Sequence, residues 1–312
     1  MYKVVIIGAG NIASGYDTPD SPHILTHAHA FSSHTSFILC GFYDKDYQKA
    51  LEAAHIWGGR AYPTLDMALQ KADVAICCVP DSVHGSVLRE IAPYMPKLVV
   101  VEKPVAVSLA EAKQIEQLYA KKIPVIVNYS RRFLPEFEAL KHDISTYGNF
   151  CKGVGYYGKG ILHNGSHMLD LLRFLMGDIE VEEVLPYQIN DFGQEDLSRD
   201  VILNIQGSPF YLTAIDSRMV TIFEMELFFE TCRIRILDGG ACIERYQVKE
   251  SKTYKGYKNY VMGSRQPVDC SEAMQGLVLN VKNYLERGEA LKCTLKDGMD
   301  ALALCMNIWG GA

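Results

Sequence analysis

The residues of this chain best suited to chemistry fall at the ends of apolar runs. Lys103 stands between Glu102 and Pro104, directly after the strand-like stretch 97–101. A lysine projected from such an edge, its backbone restrained by a proline that could be cis, is able to meet a substrate. Gly8 and Gly10 follow the apolar run 4–7 and lead to Ala13, giving G-x-G-x-x-A spacing. Glycines so placed let the backbone turn tightly and approach a pyrophosphate, which the amides of a following helix would face. Asp44 closes the apolar stretch 36–43. An acid ending a second strand hydrogen-bonds the hydroxyls of an adenine ribose and repels the extra phosphate of NADP. The same aspartate could instead cap a helix. NAD is therefore expected over NADP, with Lys45 next door as the counter-indication. His84 has two readings, a cofactor or substrate contact and a packed helix-start residue.

These groups require a scaffold that brings strand ends to one edge. Strand patterns at 4–7, 36–43, 73–79, 97–101 and 124–127 alternate with helical patterns at 46–57, 65–70, from Pro80 onward, and behind Ser108, which forms a capping box with Glu111. This alternation predicts a parallel, doubly wound sheet and places a first domain at residues 1–123. Residues 14–31 form an insertion, because Gly15, Pro19 and Pro22 forbid one unbroken helix until the pattern resumes near Thr26. His23, His27, His29 and His34 make it histidine-rich, yet no acidic or thiol partner stands at ligand spacing. A loop folding over cofactor or substrate is expected, and no metal site.

Beyond Asn128 the pattern changes. One amphipathic helix is predicted over 131–144, followed by strands at 149–157, 180–189, 201–205, 210–216, 223–229, 233–237 and 241–246. Adjacent strands joined by glycine turns imply an antiparallel or mixed sheet. A helix at 165–176 interrupts them, and helices at 272–287 and 295–309 close a second domain spanning 124–312.

Composition bounds the possibilities. The chain has 312 residues, is 48% hydrophobic and 22% charged, and carries a net charge of -6, so a large core is affordable and nucleic acid or an anionic membrane is not the expected partner. No apolar run reaches membrane-spanning length and no basic, apolar leader precedes the first strand, so a cytoplasmic location is expected. The nine cysteines contain no C-x-x-C pair and read as free thiols, several buried.

Taken together, the motifs GAGNIA at 8–13, Asp44, CVPDSVH at 78–84, EKP at 102–104, RRF at 131–133 and GKGILHNGSHMLDLLRFLMG at 158–177 resemble the glucose-fructose oxidoreductase, inositol dehydrogenase and MocA (Gfo/Idh/MocA) family. EKP and G-x-H-x-x-D, here Gly165, His167 and Asp170, are the most specific of them. The resemblance implies an α/β fold, with an N-terminal Rossmann domain and a C-terminal α/β domain whose large open-faced, mostly antiparallel sheet forms the oligomer interface of a homodimer or homotetramer. It implies cofactor contacts from Gly8, Gly10, Asn11, Ile12, Asp44, Val79, Pro80, His84, Glu102 and Lys103. Substrate contacts are implied for Lys103, Arg132, His163, Asn164 and His167. Lys103 matches the family's substrate lysine and His167 its active-site histidine. The acid usual four residues earlier is His163 here, which can relay a proton but supplies no permanent negative charge.

The implied activity is hydride transfer between nicotinamide and a carbinol or carbonyl carbon of a sugar, polyol or nucleotide sugar. His167 is the expected general base, Lys103 the group that polarises the reacting oxygen, and His163 a secondary relay or substrate contact. Two other classes stay open: an NAD-dependent glycosidase with transient oxidation, and a catalytically silent NAD- and sugar-binding regulator. The stretch 251–265 interleaves tyrosines with lysines. It reads either as a nucleotide-sugar site or as a loop or edge hairpin kept soluble by charge.

Overall fold

A computed structural model describes residues 1–120, 122–193 and 195–310. They form two compact units, Met1–Phe133 with Ser271–Asp300 and Leu134–Cys270 with Ala301–Ala312. In the first, strands β1 (Tyr2–Ile7), β2 (Phe37–Tyr43), β3 (Arg60–Ala61), β4 (Val74–Cys77), β5 (Leu98–Val101) and β6 (Val125–Val127) pair in parallel in the order β3-β2-β1-β4-β5-β6. This is the doubly wound Rossmann sheet. Its central strands are apolar on both faces because both are covered: Val4, Ile6 and Ile7, all of β4 and all of β5 are fully buried. The reversal of strand order next to β1 puts the ends of β1 and β4 beside each other, the usual position of a ligand crevice.

The helices of this unit are α1 (His27–Ser32), α2 (Tyr47–Trp57), α3 (Leu65–Leu69), α4 (His84–Ile91) and α5 (Leu109–Tyr119). Their starts are legible from side chains that accept a first-turn N–H: Thr26 from His29, Asp46 from Gln48, Thr64 from Met67 and Ser108 from Glu111. The return half of the Ser108 capping box is shifted by one residue, since Glu111 accepts from the Val107 N–H. After the glycine turn no regular α-helix follows. Asn11–Gly15 makes a single π turn, closed by the Tyr16 N–H on the Asn11 carbonyl at 3.0 Å, before the insertion leads into α1.

The second unit holds α6 (Pro135–Ile144), β7 (Phe150–Tyr157), α7 (Ser166–Met176) and the strands β8 (Ile179–Ile189), β9 (Ser198–Ile205), β10 (Ser208–Ala214), β11 (Phe223–Phe229), β12 (Cys232–Leu237), β13 (Cys242–Glu250) and β14 (Lys258–Pro267). They form one sheet in the order β14-β13-β12-β11-β7-β10-β9-β8, antiparallel except where β10 runs parallel to β7. Alternation in β11 and β12 buries Met225, Leu227, Ile234 and Ile236 on one face. The other face carries Glu226, bonded to Arg233 and Arg235, and the Arg233 guanidinium lies 5.3–5.9 Å from the ring centres of Phe228, Tyr246 and Tyr260.

One predicted element needs correction. The helix expected over 131–144 is broken at Leu134, which is extended (φ −85°, ψ 128°) because it precedes Pro135; a short 3₁₀ turn, Ser130–Phe133, lies before the break. The lysine- and tyrosine-rich stretch agrees with its edge-hairpin reading: from Lys258 onward it is strand β14, the exposed edge of the sheet, paired with β13. The last helices are α8 (Ala273–Arg287) and α9 (Leu295–Gly310). In the first unit α8 packs on the 3₁₀ turn, where Gly276 leaves no room for a Cβ beside Phe133, and the Val127 N–H donates to Cys293. All nine cysteines are free thiols. Among the described residues, no helix is long and apolar enough to cross a membrane.

Candidate active site

The glycine turn after β1 is dictated by close approach. Gly8 has φ +90°, donates its N–H to the Tyr43 carbonyl at 2.8 Å, and a Cβ on it would lie 2.7 Å from the Cys78 carbonyl oxygen. Only glycine meets both demands. Gly10 is different: φ is −81°, and a Cβ on it would meet no protein atom within 4 Å. The space beside it belongs to a cleft of about 520 Å³ whose lining includes Gly8, Gly10, Asn11, Ile12, Asp44, Val79 and Pro80. Asp44 Oδ2 accepts the Ala9 N–H at 2.8 Å and Oδ1 the Asp46 N–H at 2.9 Å, joining the end of β2 to the glycine turn. These residues fit a dinucleotide: the backbone is exposed where a pyrophosphate would lie, and a carboxylate stands one strand away. Tyr16, Lys45 and Lys49 also line the cleft. Tyr16 lies in the insertion, so this segment does reach the cleft, although its spacing from the glycines does not reveal it.

Lys103 follows β5, partly exposed, and its bond to Pro104 is cis. Both neighbours are held. Glu102 Oε1 lies 2.7 Å from His27 Nε2 and accepts from Asn128 Nδ2 at 2.7 Å. Burial pushes the Glu102 carboxyl up, but the hydrogen bonds from His27 and Asn128 outweigh it and leave the group below the usual range. The Pro104 carbonyl lies 2.7 Å from His84 Nδ1, while His84 Nε2 lies 2.8 Å from the Val79 carbonyl. His84 is fully buried with both ring nitrogens engaged. The contact with cofactor expected for it is therefore corrected: it ties the loop after β4 to the loop after β5.

In the second unit His163, Asn164 and His167 are partly exposed. His163 and Asn164 sit in the π-helical stretch Gly160–Gly165, and His167 is the second residue of α7. Asp196 holds this stretch, accepting the Leu162 and His163 N–H groups at 2.8 Å each. Burial raises the Asp196 carboxyl despite those donors. The His163 ring stacks on Phe192 with centroids 4.2 Å apart. Asn164 Nδ2 donates to the Gly158 carbonyl at 3.0 Å. Asp196 and Phe192 were not legible as site-shaping residues, because they reach His163 from some thirty residues away in sequence. Among the described residues, no three His, Cys, Asp or Glu side chains are placed to hold a metal ion.

Comparison with known proteins bears on this arrangement. Residues 2–129 match the model of the oxidoreductase family with an NAD-binding Rossmann fold. Over these residues the chain is similar to the NAD-binding domain of the Gfo/Idh/MocA oxidoreductase family. Glucose-6-phosphate 3-dehydrogenase of Bacillus subtilis is 28% identical over 143 residues, 45% of this chain and 37% of that protein, so the chain spans well under two thirds of this relative. Two solved structures share the fold at full length. UDP-N-acetylglucosamine 3-dehydrogenase from Acidithiobacillus ferrooxidans superposes with a TM-score of 0.76 at 17% identity, covering 100% of this chain and 97% of that one. An oxidoreductase from Agrobacterium radiobacter in complex with NAD+, L-tartaric acid and magnesium gives 0.79 at 17% identity, covering 100% and 96%.

One Gfo/Idh/MocA motif residue has a different position from the one expected. Arg132 of RRF is 4% exposed, and its Nη1 donates to Asp297 Oδ1 at 3.0 Å and to the Lys292 carbonyl at 3.1 Å. The guanidinium is neutralised inside the first unit, which corrects its expected role as a substrate contact. Burial raises the Asp297 carboxyl, but the Arg132 charge and the Thr294 hydrogen bonds outweigh it and hold the group low. Such a carboxylate contributes stability above its unfolded pKa of about 4, which is lost as pH falls through the lower folded value. Arg132→Met should therefore cost about 3 kcal/mol at neutral pH. Urea titrations should show the gap to the unsubstituted protein narrowing below about pH 4; a constant gap would remove the ion pair as its cause.

Proposed function

We propose that the protein is an NAD-dependent oxidoreductase that moves a hydride between nicotinamide and a carbinol or carbonyl carbon of a sugar, polyol or nucleotide-sugar derivative. The observation that carries this reading is the glycine turn joined to Asp44 along one cleft, inside the stretch that matches the family. The names of the 3-dehydrogenases above support the substrate class. Bound nicotinamide would supply the hydride acceptor or donor. His167 takes the proton as general base in the oxidative direction, and Lys103 orients and polarises the reacting oxygen. His163, in the place of the family's usual acid, relays a proton or contacts substrate with Asn164. The polar, aromatic face of the eight-stranded sheet is the proposed interface of a homodimer or homotetramer, which light scattering of the purified protein tests.

The deciding experiment follows nicotinamide absorbance while protein and NAD meet free sugars, polyols, sugar acids and nucleotide sugars. Reduction by one class establishes the reading and names the substrate. Bound NAD that no substrate reduces would overturn it and make glycoside cleavage the next assay. Cofactor choice has its own test. Asp44→Ala removes the carboxylate that repels a 2′-phosphate and leaves Lys45 and Lys49 on the same cleft. The preference for NAD over NADP should fall by about tenfold or more, the equivalent of about 1.4 kcal/mol. An unchanged ratio of kcat/KM values would end the ribose role of Asp44.

A further inference from the structure

We propose that His27 is a positioning residue for Lys103, acting through Glu102. The inference rests on the reading of Lys103 as a group in the chemical step. His27 is the first residue of α1 and is fully buried. Its Nε2 meets Glu102 Oε1 at 2.7 Å, while Nδ1 is buried with no hydrogen-bond partner. An unbonded Nδ1 fits the tautomer whose single N–H is on Nε2, donating to Glu102. A buried imidazole with one orphaned nitrogen is a poor core residue, since leaving that atom unpaired costs about 1–3 kcal/mol. An apolar side chain would pack there without that cost. What the imidazole adds is the donor to Glu102.

The helix that carries His27 is fixed by the insertion. Asp17 Oδ1 accepts the Thr26 hydroxyl at 2.6 Å, and Oδ2 accepts the Leu25 N–H at 2.6 Å and lies 2.8 Å from His29 Nδ1. Burial raises the Asp17 carboxyl, yet these bonds outweigh it and hold it below its ordinary value. The His29 ring packs on Trp57 at 5.1 Å, and Trp57 Nε1 donates to the Ser14 carbonyl at 2.9 Å. The first turn of α1 is thus tied to the residues on either side of it, which sets the direction of the His27 ring. On the far side, His84 meets the Pro104 carbonyl. Residues 102 and 104 are both pinned, so the backbone that aims Lys103 has little freedom. The Lys103 charge is felt at Glu102, and a carboxylate that could rotate would withdraw a fixed negative charge from that interaction.

The test compares His27→Leu, which removes the donor at similar volume, with His27→Gln, whose amide can still donate from near the Nε2 position, and with Lys103→Met. Three readouts are taken: kcat and KM on the best substrate of the panel, NADH affinity by fluorescence, and the rate at which acetic anhydride labels Lys103, read by peptide mass. His27→Leu should lose about 30-fold or more in kcat, with KM and NADH affinity changing by less than about threefold. Its Lys103 labelling rate should shift by about threefold or more, and His27→Gln should restore both readouts. Should His27→Leu not fold, His27→Asn takes its place, because its shorter amide does not reach Glu102. Unchanged labelling, or His27→Gln as impaired as the variants without a donor, would overturn the positioning role. Turnover retained in Lys103→Met would instead overturn the role of Lys103, with the labelling comparison still reporting on His27.

Discussion

Lys103→Met should fold, bind NAD within about twofold of the unsubstituted protein, and turn over about a thousandfold more slowly. Methionine keeps most of the length of the lysine stem and removes only the ammonium. The residue is partly exposed at the end of β5, and it is not part of the cleft lined by Gly8, Gly10 and Asp44. Its loss should therefore spare cofactor binding. A group that polarises the reacting oxygen, the role proposed for Lys103, contributes about 10²–10³ in rate, so the deficit belongs in kcat and not in cofactor affinity. Equilibrium titration of NADH fluorescence and initial rates on the reducible substrate separate the two. Rates within about tenfold of the unsubstituted protein would remove Lys103 from the chemical step. A collapse of NADH affinity would instead assign it to cofactor binding.

What could be read from the sequence follows the range of the interactions. Val4 to Ile7 announce a central strand because the pattern and its cause, burial on both faces, are local. Thr26, Asp46, Thr64 and Ser108 announce helix starts because each cap reaches only two or three residues ahead. Gly8 is legible for the same reason, since the turn that needs it begins there. Arg132 and His84 were recognised as motif residues, but where their nitrogens are spent depends on Asp297, Lys292, Val79 and Pro104, which only the fold brings near. The histidines of the insertion show the same limit. His27 and His29 lack an acid at ligand spacing, yet Glu102 and Asp17 each meet one of them. The bounds of strand β14 were not legible even where an edge hairpin was, because an exposed edge bears lysines and tyrosines instead of an alternating apolar face.

The two glycines of the cradle should respond differently to the same added methyl group. Gly8→Ala forces a side chain into φ +90° and brings its Cβ to within 2.7 Å of the Cys78 carbonyl oxygen, a backbone atom that cannot swing aside. Strain of about 1–3 kcal/mol from the left-handed conformation, with the clash added, should lower the melting temperature by several degrees and weaken NAD binding by about a hundredfold or more. Gly10→Ala faces neither obstacle: its φ of −81° suits alanine and no protein atom lies within 4 Å of the new Cβ. This variant should keep its melting temperature within about 2 °C. If a pyrophosphate fills the space beside Gly10, the methyl group still intrudes on it, and affinity should fall by about tenfold or more. Thermal unfolding with and without NAD, paired with NADH titration, reads both effects. Gly10→Ala that binds NAD as tightly as the unsubstituted protein would mean the dinucleotide does not approach this backbone. Loss of binding without loss of stability would mean that the open space beside Gly10 is where the phosphates lie.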